Sequence, residues 1–191
     1  MDDGTYRVTI GNILCSNSGA LYGANVKNYL GSSFNIAARD MLHRMGTFSS
    51  DFIVSSFGRT EVMDMLMAEK YFLDVPSIGK GNETVIIQNP YALEYAYMVS
   101  DKMLGASFTE DNALRNQNEW LDAMTGTENH VYDFFMGEVQ LENKHTELTT
   151  QNGEYQIFAL GDRVEETSIC FKIPYVEGTK AYAYFSMDES R

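Results

Sequence analysis

The chain has 191 residues, 44% apolar and 21% charged, which suffices for one ordinary globular domain with a core. Its longest uninterrupted apolar runs, residues 95–99 and 181–185, are far shorter than the roughly 20 residues that span a bilayer, and no signal peptide follows Met1. The formal charge is −13; residues 1–100 hold 7 basic and 10 acidic side chains (−3) and residues 101–191 hold 7 and 17 (−10), which argues against nucleic-acid binding and disfavours charge attraction to anionic lipids.

Residues 6–10 alternate and predict a strand. The Gly/Asn/Ser-rich stretch 11–31 reads as loop. Phe34, Ala38, Met41, Leu42 and Met45 then share one helical face, with Ser32 or Ser33 as cap and Gly46 as terminator. Asp40 and Arg44 are expected to pair on the opposite face, where His43 also falls. A second short helix is expected over 61–68, with Thr60 as N-cap and Glu61 at the positive end of its dipole. Strand-like runs follow at 70–75, 84–88 and 95–100. A third helix starts at Thr109 or, on the stronger capping-box signal Asn116-x-x-Glu119, at Asn116; it buries Trp120, Leu121 and Met124 and ends at Gly126.

Beyond Thr127 the pattern turns to β. Val139 and Leu141 alternate with polar residues, and Asn152-Gly153 sits between runs 147–150 and 155–160 as a hairpin signal. Ile169, Phe171 and Ile173 alternate, and residues 181–185 read as a last strand. The predicted fold class is α+β. Residues 1–127 form a mixed part with three short helices, and 128–191 form an antiparallel sheet or small β-sandwich, within one domain over 1–191.

Chemistry-bearing motifs are scarce. There is no Gly-x-Gly-x-x-Gly, phosphate loop, His-Glu-x-x-His or Gly-x-Ser-x-Gly. His43 reads as a solvated helix residue, and His130 and His145 have no second histidine at ligand spacing. Asp162, Glu165 and Glu166 read as an exposed acidic turn, with a calcium site as the minority alternative. Cys15 and Cys170 form neither a zinc site nor a disulfide framework and read as small apolar fillers. Met63, Met65 and Met67 read as core filler, as does Trp120. No catalytic, cofactor-binding or metal-binding residue is assigned, and no cofactor is expected.

The run Gly58-Arg59-Thr60-x-x-x-Asp64-x-Leu66-x-x-x-Lys70-Tyr71 resembles a signature of the YfhO family of large polytopic bacterial membrane proteins. Val85-x-Ile87-x-Asn89-Pro90-Tyr91-Ala92-Leu93 with Tyr97, then Asn116-Gln117-Asn118 with Thr125-Gly126, are similar to further family stretches in the same order. Tyr6-Arg7-Val8 and Tyr29 with Phe34-Asn35 fit more loosely, so the likeness spans roughly residues 5–186. It implies an excised extracytoplasmic segment, its membrane helices missing, of a protein similar to glycosyltransferases that use lipid-linked sugars on wall polymers of the teichoic acid type. The catalytic acid implied for such proteins lies near their first membrane helices, and no position here inherits it.

Three readings follow. The first is a non-catalytic domain that recognises a cell-wall glycan or another wall-glycosylation protein. The second is a free-standing carbohydrate-active enzyme. The third is a structural cap on the chain's own transmembrane domain. An exposed aromatic groove lined by Asn and Asp would favour the first, and a large apolar patch near the chain ends the third.

Overall fold

A computed structural model describes residues 5–11, 17, 19–20, 23–26, 29–31, 35–49, 53–55, 58–74, 83–110, 112–128, 130–134, 138–141, 146–151, 154–159, 169–174 and 176–184. The chain divides into two compact units, Met1–Tyr132 with Tyr182–Arg191, and Asp133–Ala181. The architecture is α+β. No helix among the described residues is long and apolar enough to cross a membrane.

In the first unit the described elements run β1 (Arg7–Ile10), β2 (Tyr29–Leu30), α1 (Ile36–Arg44), β3 (Ile53–Val54), α2 (Glu61–Leu66), β4 (Glu69–Asp74), β5 (Val85–Gln88), a 3-10 helix (Asp101–Gly105) and α3 (Ala113–Thr125). One sheet has the order β1-β4-β5, with β1 parallel and β5 antiparallel to β4. β2 and β3 pair separately. The β1–β4 register slips at Lys70: Arg7 faces Glu69, but Val8 faces Tyr71. Thr9 and Glu69 are both buried, and the Thr9 hydroxyl donates to the Glu69 carboxylate.

The core is built from Met45, Val62, Met63, Leu66 and Leu121. Met65, Met67, Trp120 and Met124 pack against it half-buried, Met65 and Met67 as the core filler expected of them. Leu42 also packs there, and His43 is exposed. Ala38 of the same predicted face is exposed, and α1 has no fully buried residue, so only its C-terminal end reaches the core. Gly58 takes a left-handed φ of 76° and packs so close to the Gly46 carbonyl that no Cβ fits between them.

The caps divide between expected and unexpected. Thr60 caps α2, accepting from Met63 N–H at 3.2 Å, and Gly126 ends α3 in the left-handed region. α1 is capped by Asn35 rather than by Ser32 or Ser33, whose own structure lies outside the described residues. α3 begins at neither Thr109 nor Asn116. Its N-cap is Asn112, whose side chain accepts from Leu114 and Arg115 N–H. The Asp40–Arg44 pair is replaced by two others: Arg39 holds Asp40 at 2.9 Å, and Arg44 reaches Glu110 at 2.7 Å.

Two expected strands are irregular. In residues 95–100 no ladder forms, because the flanking amides are used elsewhere: Leu93 N–H goes to the Met65 carbonyl and Ser100 N–H to the Met124 carbonyl. Residues 181–184 are likewise outside any strand, and Phe185 lies outside the described residues.

The second unit holds two antiparallel pairs, β6 (Glu138–Leu141) with β9 (Ile169–Lys172) and β7 (Thr146–Gln151) with β8 (Glu154–Ala159). β7 and β8 pair up to Gln151 with Glu154, as the hairpin signal between the two runs predicts; Asn152-Gly153 itself lies outside the described residues. Across β6–β9, Lys172 Nζ lies 2.9 Å from Glu138, which pulls that carboxyl below its ordinary pKa. Cys170 is exposed on β9 and is not a core filler; Cys15 lies outside the described residues.

Candidate functional site

The stretches that carry the most specific sequence pattern fold into a buried polar clamp. Asn116, Gln117 and Asn118 are consecutive on α3 and all buried. Three adjacent helical residues sweep about 200° of the helix surface, so each amide meets a different segment. Asn116 donates to the carbonyls of Arg44 and Thr109, both at 2.7 Å, and accepts from Thr109 N–H at 2.9 Å. Gln117, fully buried, donates to the Met45 carbonyl at 2.7 Å and accepts from the Thr60 and Tyr132 hydroxyls at 2.7 and 2.9 Å. Asn118 donates to the Tyr132 carbonyl at 2.9 Å and accepts from the amides of Val131 and Tyr132. Burial pushes the Tyr132 phenol up to about 12. Arg59 grips Asp64 through two nitrogens, the shorter contact 2.6 Å, and lies 4.0 Å over the Phe72 ring. The three amides are buried and satisfied by their partners, so the clamp holds the fold rather than offering a binding surface.

A half-buried aromatic and cationic cluster lies at the head of the β1–β4 pair. Tyr6 and Tyr71 meet edge to face at 5.2 Å. The register slip at Lys70 belongs to this cluster, and Lys70 Nζ sits 5.4 Å from the Tyr6 ring and 6.0 Å from the Tyr71 ring. Tyr95, 44% exposed, donates its hydroxyl to the Tyr6 carbonyl at 2.7 Å and has the Arg7 guanidinium 4.7 Å over its ring. Arg7 is itself oriented by a 2.6 Å bond to the Met67 carbonyl. Glu94, bonded by the Thr5 hydroxyl at 3.3 Å, and Asn89, whose N–H donates to the Lys70 carbonyl, stand at the margin. Three rings and two cations thus gather at the head of the β1–β4 pair, Tyr6, Tyr71 and Lys70 in one group and Arg7 with Tyr95 in another, the two joined through the Tyr6 carbonyl. Ring faces take the C–H side of a sugar, and the cations take an anionic substituent or a hydroxyl.

The residues that the sequence singled out lie elsewhere. His43 is exposed on α1. His130, 64% exposed, meets one carboxylate, Asp122, at 3.4 Å. His145, Asp162, Glu165 and Glu166 lie outside the described residues. Trp120 stacks on Phe108 at 5.7 Å. No group of three metal-ligating side chains occurs among the described residues. The tyrosine–cation cluster was not read from sequence, because parallel pairing brings Tyr6 to Lys70-Tyr71 and a hydroxyl bond to the Tyr6 carbonyl adds Tyr95. The available signal was the Tyr-Arg and Lys-Tyr dipeptides, one at the start of each strand run.

A family model described as bacterial membrane protein YfhO matches residues 1–191. No curated protein and no solved structure matches the chain.

Proposed function

This chain belongs to the YfhO family of bacterial membrane proteins, and we propose that within such a protein it is a non-catalytic, extracytoplasmic recognition domain for the glycan of a cell-wall polymer. The observation that carries this reading is the surface formed by Tyr6, Tyr71 and Tyr95 with Arg7 and Lys70. It combines stacking rings with hydrogen-bonding cations, the two kinds of group that a sugar-bearing anionic polymer engages. Net repulsion from the acidic C-terminal half is the opposing term. Arg7 and Lys70 offset it with positive charge at the site itself, and residues 1–100 carry only −3.

In this reading the chain presents the acceptor and its parent's membrane-embedded part, the partner of this domain, performs any glycosyl transfer. The site is a shallow surface that covers little of a ligand, and association costs must still be met. Affinity is accordingly expected in roughly the high micromolar to millimolar range. Binding of wall-polymer fragments to the wild-type chain and to a Lys70→Gln/Tyr95→Ala variant tests it. At least tenfold weaker binding by the variant, with an unchanged circular dichroism spectrum, is expected. Equal binding by both discards this face.

A further inference from the structure

The segment before α3 contains a turn whose backbone is tied down while its largest apolar side chains stay in water. Ser100 N–H donates to the Met124 carbonyl at 2.8 Å, Lys102 Nζ donates to the Gly126 carbonyl at 2.7 Å, and the Ser100 hydroxyl caps the 3-10 helix at Lys102 N–H. These bonds fasten the turn to the C-terminal end of α3. Met98 and Leu104, on either side of it, are nevertheless 98% and 94% exposed, and Tyr97 and Val99 are exposed as well. Mobile backbone does not explain such exposure.

The charge pattern narrows what can meet this turn. Residues 95–109, between Glu94 and Glu110, carry one acid, Asp101, and one base, Lys102, so the stretch is neutral in a chain of −13. It can approach a lipid surface from which the acidic remainder is repelled. Apolar side chains next to a tyrosine and a lysine also match the composition of the zone between headgroups and hydrocarbon. A second copy is a poor occupant: two large side chains with their neighbours fall well short of the roughly 800 Å² per partner that a stable pair buries. The family to which the chain belongs places it on a membrane protein, where even a weak lipid contact is made at high local concentration.

We infer that the turn of residues 97–105 is a bilayer-contacting edge, with Met98 and Leu104 entering the lipid interface and setting the orientation of the domain over the membrane. This does not depend on the glycan reading. The test uses the full chain with Cys15→Ser and Cys170→Ser, tethered by an N-terminal histidine tag to phosphatidylcholine vesicles containing a nickel-chelating lipid. A nitrobenzoxadiazole label is placed at Leu104→Cys or, as a control, at exposed Thr84→Cys. A blue shift and quenching by doxyl-labelled lipid at position 104 but not at 84 are expected. Untethered, Met98→Asp should lower partition onto the same vesicles roughly tenfold, about the loss of one buried apolar side chain. No shift at position 104, or equal shifts at both positions, overturns the inference. A shift seen only in membranes that contain the transmembrane part of a full-length family protein also overturns it, and assigns the turn to a protein partner.

Discussion

The Thr60 hydroxyl donates to Gln117 Oε1 at 2.7 Å and accepts from Met63 N–H at 3.2 Å, so one side chain caps α2 and fastens it to α3 across 57 positions of sequence. Gln117 completes the link by donating to the Met45 carbonyl just after α1. The three helices are therefore joined through one fully buried amide as well as through the apolar core.

Gln117→Leu should destabilise the chain by about 2–4 kcal/mol. The apolar volume is kept, but a carbonyl and two hydroxyls lose their buried partner. Urea melts measure this, with Glu119→Ala, an exposed neighbour on α3, expected within about 0.5 kcal/mol of wild type.

Gly58→Ala should cost at least about 2 kcal/mol. The left-handed backbone disfavours a Cβ, and the Gly46 carbonyl occupies the space it would need. Gly23→Ala has the backbone penalty without the clash and should cost less. Thermal melts of the two variants give the comparison.

Arg59→Met should lose about 2–3 kcal/mol, and Arg59→Lys should recover only part of it. Asp64 has 8% of its side chain exposed, and a lysine provides neither the two-nitrogen grip nor the planar stacking on Phe72. A double-mutant cycle with Asp64→Asn isolates the pair.

Stability should fall as pH rises between about 10 and 12. The Tyr132 phenol keeps its proton to about 12 in the folded chain, chiefly because it is buried, against about 10 when unfolded. Above pH 10 the folded state therefore binds more protons than the unfolded state, so this contribution is intact below 10 and lost by 12. Tyr132→Phe should flatten that window in denaturant melts taken across it.

Much of the fold was legible where a local signal was unopposed. The Thr60 cap, the Gly126 stop, the packing of Met63 into the core and the β7–β8 pairing each follow from chemistry within a few residues. The start of α3 did not, because Asn116 with Glu119 imitates a capping box. Asn112 performs that task, and Asn116 is spent on Arg44 and Thr109. Residues 95–99 carry a strand-like composition, yet backbone bonds to Met65 and Met124 on either side hold the segment irregular. The tyrosine–cation face depends on parallel pairing between strands some 60 positions apart, which periodicity cannot reveal.

The most direct measurement is an NMR titration of the isotopically labelled chain with wall-polymer glycan fragments, with and without a chelator. Shifts confined to Tyr6, Arg7, Lys70, Tyr71 and Tyr95, fitting a dissociation constant between roughly 0.1 and 10 mM, unchanged by chelator and with no glycoside turned over, are predicted. Shifts centred elsewhere, none at all up to that range, or turnover of the glycan would contradict a recognition role for this face.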